Sequence, residues 1–156
     1  MRPDIDKTLM RIATVWQDRS TCDRNHVGAV ISREGRTLGS GYNGAPAGMP
    51  HCEHQVTFLR GKTLTFNVAE SVSMIEGEPC RLAIHAESNA IAYAARNGVS
   101  IVGGTIYTTL SPCFACSLLI IAAGLTRVVY DREYRDTSGI QLMTSAGLTV
   151  DQLGPQ

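Results

Sequence analysis

The sequence predicts an α/β protein, a three-layer α/β/α sandwich around a mixed sheet of about five strands, and three observations carry that expectation. Apolar residues switch back and forth between helical spacing and short β-branched runs, so that helices and strands alternate through the second half of the chain. Glycines close the helical stretches where a chain reversal is needed. The 156 residues, 44% of them apolar, suffice for one well-buried core and are too few for two full domains, so residues 1–156 are read as a single domain.

Over residues 4–19, Ile5, Leu9, Ile12, Ala13 and Trp16 recur on one stripe, with Asp6, Lys7, Arg11 and Gln17 off it. That spacing predicts an amphipathic helix packed on a sheet, with Trp16 in its core face. Residues 27–31 and 38–42 flank the polar Ser32-Arg33-Glu34-Gly35-Arg36, which predicts a β-hairpin. The following Gly41-Tyr42-Asn43-Gly44-Ala45-Pro46-Ala47-Gly48 concentrates residues that permit unusual backbone angles or let a ligand approach the main chain. Between His54 and Cys80 the apolar Val56, Phe58, Leu59 and Leu64 are scattered among polar residues, so the segment from about 55 to 80 reads as an insertion, a helix plus a long loop.

From 85 to 97, Ala86, Ala90, Ile91, Ala94 and Ala95 give a helix with a small-residue face that stops at Asn97-Gly98. Thr105-Ile106-Tyr107-Thr108-Thr109-Leu110 is a strand by its β-branched and aromatic content. It runs into Ser111-Pro112, and a proline opening a helix loses nothing, because its missing N–H would have no partner there. A helix over 113–123, a strand over 127–130, a helix over 140–146 and a strand over 148–153 complete the alternation.

The chemistry is concentrated at His85-Ala86-Glu87 and Pro112-Cys113-Phe114-Ala115-Cys116. His85, Cys113 and Cys116 supply three soft ligands, the number that a catalytic zinc site uses while keeping a fourth position for water. Two cysteines at i and i+3 on a first helical turn face one way, and the helix dipole stabilises their thiolates. Glu87, two residues from His85 at a helix start, is placed to move protons rather than to ligate. A closed structural site would require a fourth ligand within these motifs, and none is there.

Lys plus Arg equals Asp plus Glu at 14 each, so no broad basic surface for a long nucleic acid is expected and a small substrate is favoured. The N-terminal stretch has no signal-peptide pattern and no stretch is long and apolar enough to span a bilayer, which predicts no membrane association and a cytoplasmic location. Five cysteines in such a compartment point to metal rather than a disulfide framework. Cys22, Cys52 and Cys80 remain after the first site and are candidates to pin the insertion to the core.

The pair of motifs, H-x-E and P-C-x-x-C, is the mark of zinc nucleobase deaminases. The wider sequence resembles the deoxycytidylate deaminases of phages and bacteria, within the cytidine deaminase superfamily. The matching stretches are Ser20-Thr21-Cys22-Asp23-Arg24, Val27-Gly28-Ala29-Val30, the 41–48 loop with His51-Cys52, and residues 84–98, 105–116 and 128–134. The Gly-Tyr-Asn-Gly loop separates this family from relatives that share only the zinc motif.

The resemblance implies a cytidine deaminase-like fold and hydrolysis of dCMP to dUMP and ammonia, supplying thymidylate synthesis, with 5-substituted dCMP left open as a further substrate. It implies Glu87 as the proton shuttle, Asn43 on the deoxyribose hydroxyl, Arg24 and Tyr134 on the 5′-phosphate, and Ala86 among the substrate-binding residues. Family members form hexamers activated by dCTP and inhibited by dTTP, which implies Gly44 and Arg96 at an effector and subunit-contact region, with Mg2+ accompanying a triphosphate. It also places a second, structural zinc on Cys22, Cys52 and Cys80, with His54 or His51 to complete it. If the chain is phage-encoded, the cytoplasm is the host's. A tRNA adenosine deaminase shares both motifs but gives no reason for the 41–48 loop. A non-catalytic, zinc-stabilised binding module would have no use for Glu87.

Overall fold

A computed structural model of the chain describes all residues except 23, 50, 52–53, 60–61, 68–72, 76–81 and 155–156, and describes only the backbone within the strands between 54 and 75. In chain order the elements are α1 (Ile5–Gln17), β1 (Gly28–Arg33), β2 (Arg36–Tyr42), β3 (His54–Leu59), β4 (Lys62–Asn67), β5 (Ser73–Ile75), α2 (Ala86–Arg96), β6 (Thr105–Leu110), α3 (Phe114–Ala122), β7 (Arg127–Arg132), α4 (Ser138–Ser145) and β8 (Thr149–Gln152). The main sheet has the order β2-β1-β6-β7-β8. Its first two pairings are antiparallel and its last two parallel, so it is a mixed sheet of five strands.

Period-2 alternation along the central strands sorts their side chains onto two faces. Ala29 and Ile31 of β1, Ile106 of β6 and Val128 of β7 pack with Ala86, Ala90 and Ala94 of α2, Ile120 of α3 and Met143 of α4. Val30, Tyr107 and Val129, one residue out of phase, pack instead with Leu9, Met10 and Ala13 of α1. The result is α1 on one face and α2, α3 and α4 on the other: the three-layer sandwich that the sequence predicts.

Helix α1 starts at Asp4, whose carboxylate accepts from the Lys7 N–H at 3.1 Å. Its buried row is Leu9, Met10 and Ala13, whereas Ile5 and Ile12 of the predicted stripe are 45% and 36% exposed. The reason lies across the contact at Gly28. A Cβ there would collide with the Ala13 carbonyl oxygen, so the helix backbone touches β1 at Ala13, and that contact rotates Ile12 to the rim. Trp16, half-buried, stacks on Tyr42 with ring centroids 6.1 Å apart.

Among the described residues of 54–80, strands form where a helix is expected. His54–Leu59, Lys62–Asn67 and Ser73–Ile75 make a three-stranded antiparallel sheet, β3-β4-β5, in which Leu59 pairs with Lys62 and Leu64 with Ile75. The physical signal is a period of two: Gln55-Val56-Thr57-Phe58 and Thr63-Leu64-Thr65-Phe66 both alternate polar and apolar. Smaller shifts occur at two helix starts. Pro112 precedes the cap of α3 rather than opening its first turn, and α4 begins at Ser138, two residues earlier than the apolar spacing suggests.

Candidate active site

The pocket forms along one edge of the main sheet, where the start of β1, the ends of β2, β6 and β7, and the first turns of α2 and α3 converge. Helix α2 is drawn onto β2 by a small-residue contact: a Cβ on Gly41 would collide with the Ala86 carbonyl oxygen. Asn89 then donates from Nδ2 to the Tyr42 carbonyl at 2.9 Å. Gly44 and Ile84 exchange backbone hydrogen bonds at 3.1 and 2.8 Å, so the 41–44 loop fixes the residue before His85.

His85 is the N-cap of α2 with extended backbone, and Cys113 is the N-cap of α3, also extended. Cys116 lies in the first turn of α3 and is buried. The His85 Nδ1 atom is 3.4 Å from the Sγ of Cys113 and 3.4 Å from the Sγ of Cys116. The three ligand atoms all lie within 4.8 Å of one another, and among the described residues this is the one group of His, Cys, Asp or Glu side chains so arranged. Tetrahedral zinc with Zn–N of about 2.05 Å and Zn–S of about 2.3 Å would hold nitrogen and sulfur about 3.6 Å apart. The donor set therefore fits zinc in both chemistry and spacing.

Electrostatics at this centre follow from burial and shared protons. Glu87 is 3% exposed, and burial pushes its carboxyl up to about 7. A hydrogen bond from the Cys116 thiol holds the Cys113 thiol down at about 4, and the same bond keeps the Cys116 thiol well above its ordinary range. The hydrogen bond with Cys113 raises the His85 imidazole. A divalent cation held by these side chains would displace the thiol protons.

The cavity, about 350 Å³, is lined by His85, Glu87 and Cys113 together with Ala86, Asn43, Arg24 and Tyr134. Asn43 is buried; its Oδ1 accepts from Ser20 Oγ at 2.7 Å and from the Val27 N–H at 2.8 Å, and its Nδ2 donates to the Asn25 carbonyl at 2.6 Å. One Nδ2 N–H is left for a ligand. Arg24 is exposed and Tyr134 half-buried, and the Tyr134 N–H donates to Ser111 Oγ at 2.8 Å.

The cavity also takes in residues that sequence reasoning passed over: Asn25, Val27, Leu110, Ser111, Glu133 and Arg135. The signal for Arg135 was its place beside Tyr134, whose ring its guanidinium overlies at 5.8 Å. Cys22, assigned by resemblance to a second zinc, is buried and lines this same cavity. Its expected partners Cys52 and Cys80 lie outside the described residues, His54 is described only as backbone of β3, and His51 is exposed. Gly44 is buried, with both backbone groups spent on Ile84. Arg96 is exposed at the far end of α2, its guanidinium 5.4 Å from the Tyr93 ring centre.

The family model described as "Cytidine and deoxycytidylate deaminase zinc-binding region" matches residues 3–132. The deoxycytidylate deaminase of Mycobacterium phage D29 is 43% identical over 133 residues, which is 85% of this chain and 98% of the phage protein. The deoxycytidylate deaminase of Saccharomyces cerevisiae is 36% identical over 153 residues, 97% of this chain and 46% of the yeast protein. Among solved structures, the dCMP deaminase of cyanophage S-TIM5 in complex with dCMP and dUMP superposes with a TM-score of 0.79 at 32% identity, over 98% of this chain and 99% of that one.

Proposed function

The chain belongs to the cytidine and deoxycytidylate deaminase family, and from that premise we propose the reaction its pocket performs: hydrolysis of dCMP to dUMP and ammonia, a step that supplies thymidylate synthesis. The observation that carries this is the buried Glu87 beside the His85, Cys113 and Cys116 cluster, with Glu87, His85 and Cys113 lining one cavity. Zinc bound by those three side chains would lower the pKa of the attacking water to about 7, so that the nucleophile is available at neutral pH.

The remaining work falls to the chain's own residues. Glu87 takes the proton of the attacking water and delivers it to the ring nitrogen next to the amine-bearing carbon. It then carries a second proton, from the oxygen newly bound to that carbon, to the departing nitrogen; the C–N bond breaks, the oxygen stays on the ring as the keto group, and the amino group leaves as ammonia. A carboxyl buried enough to titrate near 7 suits both directions of transfer. Asn43 offers its last Nδ2 N–H to the deoxyribose hydroxyl, and Ala86, buried on the wall, lies against the base. Arg24 and Tyr134 hold the 5′-phosphate, supported by their place on the lining and by the forked donor geometry of arginine.

Release of ammonia from dCMP, compared with deoxycytidine, dCTP, 5-methyl-dCMP, 5-hydroxymethyl-dCMP and tRNA, tests the reading. dCMP turning over fastest supports it, and release from tRNA alone would overturn it. Hexameric assembly, activation by dCTP with Mg2+ and inhibition by dTTP belong to the same proposal, with Gly44 and Arg96 at the contact region. Sedimentation with and without each triphosphate checks them. A structural zinc on Cys22, Cys52, Cys80 and His54 predicts two zinc ions per chain, of which His85→Ala removes one.

A further inference from the structure

Ser88 is unlike the other hydroxyl-bearing residues that hydrogen-bond within the helices. Thr8, Thr14, Ser117 and Thr144 each donate to the carbonyl four residues earlier, at 2.9, 3.0, 3.0 and 2.9 Å, the usual local use of such a group. Ser88 makes no such bond among the described residues. Its Oγ lies instead 3.5 Å from the Sγ of Cys116, across the gap between the first turns of α2 and α3.

Cys116 is the ligand that needs such a donor. Cys113 stands at the cavity wall, half-exposed, while Cys116 is only 3% exposed and lies off the cavity lining. Solvent can hydrate the first sulfur and has little access to the second. A metal-bound sulfur buried beside the Glu87 carboxyl and a second sulfur keeps part of its negative charge, and where water has little access that charge is met by a hydrogen bond from a protein group. When Cys116 is a thiolate it has no proton to give, so in the contact with Ser88 the hydroxyl is the donor.

We infer that Ser88 is a positioning residue for the metal centre: its hydroxyl donates to the Cys116 sulfur, fixes that ligand's orientation and lowers the cost of burying its charge. This rests on the zinc reading above. Partners behind metal ligands of this kind change metal affinity by about 10–100-fold when removed. They also alter how readily the sulfur gives up electron density, which a spectrum reads directly.

The test compares wild type, Ser88→Ala and Ser88→Thr as full chains, with His85→Ala subtracted to remove any other metal-binding thiols. Alanine is the best helix former, so Ser88→Ala keeps the helix. Zinc affinity is measured by chelator competition, and the sulfur-to-metal charge-transfer band is recorded on the cobalt(II) form. We expect Ser88→Ala to bind zinc about tenfold or more weakly and its band to move to longer wavelength, because a sulfur without its hydrogen bond holds its electrons less tightly. Ser88→Thr, which keeps the hydroxyl, restores both values. Unchanged affinity and band in Ser88→Ala overturn the inference and leave the zinc reading standing. Weaker binding with no band shift, or without rescue by threonine, also overturns it, since packing alone would explain that. A wild type with no metal difference from His85→Ala overturns the zinc reading itself.

Discussion

Replacing Glu87 by Gln separates proton transfer from metal binding, because the two side chains have nearly the same shape. Glu87 is 3% exposed, so bulk water has little access to take over its role as proton carrier. Its carboxyl, pushed up to about 7 by burial, exchanges a proton in both directions near neutrality, and an amide does neither. General acid–base catalysis contributes about 10²–10⁴-fold, so Glu87→Gln should raise the barrier by about 3–5 kcal/mol. Zinc content should not change, since the ligand atoms are those of His85, Cys113 and Cys116. The assay is ammonia release at saturating dCMP, with zinc per chain measured on the same sample. A variant that keeps its metal and turns over within tenfold of wild type would refute the role given to Glu87. Loss of the metal together with activity would recast Glu87 as a ligand.

Chelation should abolish turnover, added Zn2+ should restore it, and Cys113→Ser should bind zinc too weakly for that recovery, as metal titration would show. Gly41→Ala places a methyl group against the Ala86 carbonyl and should destabilise the fold by about 1–3 kcal/mol in urea unfolding. It should lower turnover as well, because α2 carries His85 and Glu87. Asn43→Ala removes three hydrogen bonds that tie β2 to residues 20–27, and should raise KM for dCMP while lowering Tm. Asp6 predicts an acid limb. Hydrogen bonds from Arg127 at 2.9 and 2.8 Å hold its carboxyl below the usual carboxylate range. Its stabilising contribution is therefore present above the unfolded value of about 3.9 and lost as pH falls through the lower folded value. Asp6→Asn should flatten the dependence of stability on pH below about 4, with only a small effect at neutrality because the pair is partly exposed.

The second half of the chain was legible because its elements announce themselves locally. Asn97-Gly98 stops α2, the β-branched run 105–110 makes β6, and the alternation of helix and strand dictates a sandwich. The metal cluster was legible because a His and a pair of cysteines at helix starts carry their geometry in their spacing. What sequence reasoning missed depends on contacts between distant residues. The phase of α1 is set by Gly28 meeting Ala13, 15 positions apart, and spacing within the helix does not contain it. Glu133 and Arg135 reach the cavity because Ser111 and Arg132 pair at the ends of neighbouring strands, which is a fact of the sheet rather than of either segment. The β3–β5 sheet is hard to read for a different reason: its two alternating stretches, Gln55-Val56-Thr57-Phe58 and Thr63-Leu64-Thr65-Phe66, are only four residues each, too short to stand out among scattered apolar residues.

Topology explains why so many separate segments meet at one cavity. Parallel β6 and β7 end on the same sheet edge, which is where an open α/β sheet binds ligands. Because β1 runs antiparallel to β6, its start falls on that edge, and antiparallel β2 brings its end there too. Val27, Asn43, Leu110 and Glu133 are then neighbours in space although 106 positions separate the first from the last. Helices α2 and α3 begin at the same edge, so their positive ends point toward two sulfurs and a carboxylate. The arrangement therefore requires α2 to lie almost on the backbone of β2, and Gly41, which binds nothing, becomes as necessary to the centre as the residues that would hold its metal.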